Sequence, residues 1–164
     1  MKKIITIIIS ALFFSNIAFA KITMKYSGSL PVGHHLTGAQ KLFAEKVAKK
    51  TNGEIEIKVF PAKQLYPTKA VPAAVVTGAL EIGYNLFGVW TKDTISEIND
   101  VPFLIQNVKQ AGKAWDNNER LFKYYTKVME KRKMKPLGVI FYGSLFDLTS
   151  PSPIVNPSDF NGKK

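Results

Sequence analysis

The chain has 164 residues, 46% hydrophobic and 21% charged, which allows one domain or slightly more and excludes both a disordered chain and one embedded in a membrane throughout. With no cysteine, the fold has to rest on an apolar core and not on disulfides. The formal charge of +11 invites a nucleic-acid reading, but the lysines are scattered over helix faces such as EKVAKK and KVMEKRKMK, which favours solvated faces with a steering role toward anions.

The first twenty residues stand apart. Lys2 and Lys3 precede the apolar run IITIIISALFFSNIAFA, which closes on Ala18-Phe19-Ala20. A basic start, an apolar stretch and a small-x-small end make a secretory signal peptide cut after Ala20. The run is broken by Ser10, Ser15 and Asn16 and falls short of the ~20 strongly apolar residues of a spanning helix. No later segment is apolar enough to cross a bilayer. A periplasmic protein that is not an integral membrane protein is therefore expected, and export argues against a nucleic-acid partner.

From Lys21 the pattern alternates. Ile22, Met24 and Tyr26 share one face, so 21–28 is a predicted strand. After the loop SLPVGHH, a helix is predicted with Ala39, Leu42, Phe43 and Val47 on its apolar stripe, stopped by Asn52-Gly53. Residues 54–60 alternate again, with Ile55, Ile57 and Val59 inward. Thr68 is placed to cap a helix to Thr77, with Pro72 in its first turn and Gly78 ending it. Residues 79–87 are a predicted third strand. A loop with the apolar knot VPFLI fills 88–107, and helices are predicted over 108–116 and 118–133. The second carries Leu121, Tyr124, Tyr125 and Val128. Residues 134–143 are a predicted fourth strand, apolar enough to be buried on both faces, and 145–150 continue it or form a fifth. Strands alternating with helices predict an α/β fold with a mostly parallel sheet.

The search for chemistry is negative. His34-His35 has no Cys, Asp or Glu at ligand spacing, and a zinc site needs three or four ligands. There is no Gly-x-Ser-x-Gly, no phosphate-cradling loop and no dinucleotide fingerprint. The acids are isolated. The expectation is a protein that is not an enzyme and needs no cofactor.

Four stretches carry a resemblance: GSLPVGHHLTGAQKLFAEKVAKKTNGEIEIKVFPAKQL, AVVTGALEIGY, DVPFLIQNVKQAGKAWD and PSDFNGKK. In this order they resemble the solute-binding proteins of tripartite ATP-independent periplasmic (TRAP) transporters, over essentially the whole chain from Ile22. The resemblance implies a periplasmic binding protein type fold of two α/β lobes closing on a ligand. Here 21–145 would be most of the first lobe, and 146–164 the crossover and start of the second. Members are about twice this length, and the family's carboxylate-clamping arginine would lie beyond Lys164. Lys163 and Lys164 lack the flat two-pronged donor set for that role. Residues 21–164 alone are expected to bind ligand weakly or not at all.

Ligands of α/β sheets lie at the carboxyl ends of strands. Site expectations follow from that rule and from the resemblance. His35 best matches a ligand-facing polar residue of the family, or it is a solvent-exposed loop histidine. Asn85, Phe87 and Trp90 follow the third strand, and Trp90 either walls a pocket with its N–H free to donate or is a core residue. Tyr66 and Thr68 stand where some relatives place an acid. Phe146 falls near a position where relatives that bind sialic acid or dicarboxylates often carry a second arginine. The resemblance thus implies a small organic monocarboxylate ligand and TRAP membrane permease subunits as partners. Asp147 either faces solvent or binds a cation. The other expectations are a periplasmic receptor of an ATP-driven importer or sensor system, and an enzyme on the same scaffold.

Overall fold

The computed structural model describes residues 20–101, 103–143 and 153–162. All but the last residue of the predicted signal peptide 1–20, the predicted continuation at 145–150 and the terminal lysines lie outside them. The described chain is an α/β arrangement around a three-stranded parallel sheet. The strands are β1 (Ile22–Ser27), β2 (Ile55–Phe60) and β3 (Ile82–Gly83), in the order β2-β1-β3. β1 is the centre: Ile22 to Ser27 pair in sequence with Ile55 to Phe60, and Tyr26 and Ser27 pair with Ile82 and Gly83.

The alternation anticipated in β1 and β2 is present. Tyr26, Ile57 and Ala44 form a buried cluster, with Met24, Ile55, Val59 and Ile82 packed on it. Ala44 comes from α1 (His35–Lys50), which covers that face. His34 caps α1 by accepting the Leu36 N–H on Nδ1 at 3.2 Å, and Lys49 and Lys50 complement the carbonyl end. The Asn52-Gly53 stop holds: both have positive φ, and the Gly53 N–H returns to Ala48 O. The predicted stripe holds in part: Val47 packs on the Tyr26 cluster and the Phe43 ring meets Tyr26 edge-on at 6.2 Å. α1 buries Leu36, Thr37, Gln40 and Ala44, whereas Leu42 is 50% exposed. Gly28 makes room for Gln40. A Cβ there would lie 2.7 Å from Gln40 Oε1, so its absence lets a polar residue onto the buried row.

After β2, a 3-10 turn (Thr68–Ala70) runs into α2 (Val71–Val76), with Pro72 at the helix start as anticipated. Thr68 is not the cap; its carbonyl receives the Asn85 amide instead. Val71, Ala74 and Leu80 form a second buried cluster. The predicted strand 79–87 shrinks to two residues. The Leu80 N–H turns back to Ala74 O, and Asn85 accepts the Leu86 N–H on its own side chain, so the backbone leaves the ladder on both sides. Phe87–Trp90 is a helical turn, α3.

The predicted loop holds an element that its sequence hides, a 3-10 helix over Thr94–Asp100 capped by Asp93 Oδ1 on the Ile95 N–H. Helices α4 (Val108–Ala114) and α5 (Arg120–Glu130) follow, near the predicted bounds. Their cluster joins Ile95, Trp115, Phe122, Tyr125, Met129 and Met134, while Tyr124, assigned to the apolar stripe, is mostly exposed. The predicted strand 134–143 is absent. Val139 and Phe141 pack on the helical cluster, but Leu137 and Tyr142 are over half exposed and no described strand lies beside them. An apolar run becomes a strand only where a partner supplies the ladder. Among the described residues no helix is long and apolar enough to cross a membrane.

Two leucines separate the observed packing from the predicted one. Leu80→Ala, at 1% exposure, is expected to cost about 2–5 kcal/mol in urea unfolding, and Leu42→Ala under ~1 kcal/mol. Equal costs would contradict the placement of α1.

Candidate functional site

Because the three strands are parallel, their carboxyl ends open on one side of the sheet, and three loops meet there: 28–34, 61–67 and 84–86. They are tied by backbone bonds. Gly28 N–H donates to Phe60 O at 2.9 Å, Ala62 N–H to Leu30 O at 2.8 Å, Lys63 N–H to Gly28 O at 2.9 Å and Tyr84 N–H to Ser27 O at 2.9 Å. Ala62 and Lys63 both have left-handed backbone, φ 52° and 61°. Each such non-glycine residue costs about 1–2 kcal/mol, which the surrounding bonds must offset, and strain of this kind concentrates where a loop is held in a functional shape.

His34 and His35 stand at this edge as stacked rings with centroids 4.4 Å apart, and Tyr142 leans on His34 at 5.2 Å. His35 is exposed, whereas His34 is half-buried with Nδ1 engaged in the α1 cap. Tyr84, directly after β3, is half-buried. Burial first, then the neighbouring Tyr142, pushes its phenol above the ordinary value. At neutral pH the edge therefore presents neutral hydroxyls and ring faces, and Lys63 in the second loop supplies positive charge.

The other expected residues are placed differently from one another. Asn85 lies at the edge but is 9% exposed. Its Nδ2 donates to Thr68 O at 2.6 Å and its Oδ1 accepts the Leu86 N–H at 3.0 Å, so the amide ties α2's approach to the end of β3. Trp90 does not keep a free N–H: Nε1 donates to Asn85 O at 3.3 Å, and the ring lies against Gly83, where a Cβ would come within 2.8 Å of it. Phe87 turns into the helical cluster, 4.6 Å from the Trp115 ring and 5.0 Å from Tyr125. Tyr66 packs on the Val71–Leu80 cluster. Phe146 and Asp147 lie outside the described residues. The edge thus gathers His35 and Asn85 and sends Phe87 away. Tyr84 and Lys63 were missed as site residues, although both follow a strand's last residue closely. Tyr142 had no such signal, because only the fold brings it to His34. Among the described residues no three His, Cys, Asp or Glu side chains gather as a metal site.

Tyr26 couples the edge to the core. Burial, then Tyr84, pushes its phenol to about 12 from 10.0. The fold therefore favours the protonated form, and this contribution is complete below pH 10 and lost as the pH rises toward 12. Tyr26→Phe is expected to flatten the fall in unfolding free energy between pH 10 and 12 by about 2–3 kcal/mol relative to the parent. Parallel curves would show the hydroxyl to be solvated.

A profile of the bacterial extracellular solute-binding protein family 7 matches residues 26–164. The 2,3-diketo-L-gulonate-binding periplasmic protein YiaO of Escherichia coli is 25% identical over 159 residues, covering 95% of this chain and 47% of its own length. Among solved structures, DctP7 of Bordetella pertussis, an extracytoplasmic solute receptor binding pyroglutamic acid, superposes with a TM-score of 0.60 at 25% identity, covering 67% of this chain and 36% of its own. A TRAP periplasmic solute-binding protein of Sulfurospirillum deleyianum with bound succinate superposes with a TM-score of 0.60 at 23% identity, covering 69% and 36%. The chain spans about half the length of the relatives it matches.

Proposed function

This chain belongs to the bacterial extracellular solute-binding protein family 7, a family of binding proteins and not of enzymes, and from that premise we propose that it forms the first-lobe wall of a periplasmic receptor of a TRAP transporter. The match over 26–164 carries this reading. The receptor captures a small organic monocarboxylate and hands it to a membrane permease driven by an ion gradient. Capture is closure without chemistry: a ligand preferring the closed form shifts the population toward it.

The wall is the carboxyl edge of the sheet. Its loops offer what one side of a carboxylate site needs short of the clamp itself: backbone held rigid by four hydrogen bonds, neutral hydroxyls, ring faces and a lysine. The clamp is the arginine that the resemblance puts beyond Lys164. A monocarboxylate is favoured because Phe146 stands near the position where dicarboxylate binders carry a second cation, and a second carboxylate buried there would lack its partner. Among the relatives, YiaO is named for a sugar acid and DctP7 for pyroglutamic acid, whereas the Sulfurospirillum protein holds succinate.

Thermal unfolding of the full-length gene product with a panel of organic acids tests both levels. A cognate acid at about 100 times its dissociation constant stabilises by about 2.7 kcal/mol, a shift of several degrees. A monocarboxylate such as pyroglutamate or galactonate is expected to raise the midpoint most. No shift with any acid would sink the receptor reading, and a larger shift with succinate would sink the ligand class alone.

A further inference from the structure

The net positive charge is not spread evenly. Residues 109–135 hold nine lysines and arginines against three acids. Every one of the nine is exposed. This segment lies on α4, α5 and the turn after them. Its centre is a groove of about 560 Å³ whose wall includes Phe122, Thr126, Lys123, Lys127, Lys135 and Leu137. Lys123 and Lys127 are one helical turn apart on α5, so they share a face, and like charges at that spacing destabilise an isolated helix. Among the described residues none of the three lysines is held in an ion pair. Glu130 is the one acid on the groove wall. The exposed apolar group on the same wall is Leu137, over half of which faces solvent.

We propose that this groove is a docking surface for a protein partner presenting an acidic segment with an apolar side chain at its centre. Charge complementarity sets the sign of the partner, since uncompensated lysines around a groove attract carboxylates and speed encounter. The concave form and the mixed lining select a protein segment over a flat anionic bilayer. A flat bilayer would meet the lysines but not enter the groove beside Leu137. α5 also has no apolar face left for insertion, because Phe122, Tyr125 and Met129 are committed to the core. The partner's carboxylates would pair with Lys123, Lys127 and Lys135, and its apolar side chain would cover Leu137, which is over half exposed.

The test uses the full-length protein and a blocked nine-residue peptide of aspartate and glutamate with one central leucine, followed by calorimetry at low and high salt. Binding at low salt is expected to weaken at least tenfold in K123E/K127E/K135E and less than threefold in K41E/K46E/K50E, which removes as much charge from exposed positions of α1. Replacing the central leucine of the peptide by serine is expected to weaken binding at least threefold. Absence of binding, or equal loss in the two triple variants, would overturn the proposal, since net charge alone would then explain the attraction. Binding to phosphatidylglycerol vesicles in place of the peptide would overturn it in favour of a lipid surface. Circular dichroism of both variants separates a lost surface from a lost fold, and Leu137→Ser, at a position over half exposed, expected to keep the fold and weaken the peptide, supplies a second readout if the triple variant unfolds.

Discussion

Everything in the described structure is organised by one constraint: β1 is hydrogen-bonded in parallel on both sides. A parallel neighbour cannot be reached by a tight turn, so the chain must cross over a face each time, and α1 and α2 are those crossovers. Parallel pairing also puts every strand's carboxyl end on one side. That geometry, and no special motif, assembles the loops at 28–34, 61–67 and 84–86 into one edge. Two glycines make the layering possible. Gly28 lets the Gln40 amide sit on the end of β1, and Gly83 lets Val71 and Trp90 close onto β3; a Cβ at Gly83 would lie 2.6 Å from Val71 Cγ1.

Much of this was legible in the sequence, and the failures have physical causes. Period-two alternation found β1 and β2 because each has a partner and one covered face. The same signal failed at 134–143, where the apolar residues pack on helices and no described strand offers a ladder. It failed around Ile82–Gly83 because Asn85 competes for the backbone with its own side chain, a local choice that alternation does not register. The α1 stripe was right at Phe43 and Val47 but missed Gln40, because hydrophobicity cannot foresee a buried glutamine admitted by a distant glycine. Helices α4 and α5 were found because their apolar spacing is helical and Asn107 caps the first. At the site, the carboxyl-end rule located the correct loops but not the orientation of their side chains. Phe87 and Trp90 follow β3 as anticipated, yet both turn inward, since an apolar ring stabilises more by joining the Trp115–Tyr125 cluster than by facing water.

The electrostatics divide the molecule. The carboxyl edge presents rings, hydroxyls, tied backbone and the charge of Lys63. The α4–α5 side carries concentrated, uncompensated positive charge around a groove.

The account stands or falls on where an organic acid sits. A crystal structure of the full-length protein with a bound monocarboxylate is predicted to show the ligand in hydrogen-bond reach of residues within 28–35, 61–67 or 84–86, against the carboxyl ends of β1, β2 and β3. A ligand bound against α4 and α5, or anywhere that leaves those three loops untouched, would contradict it.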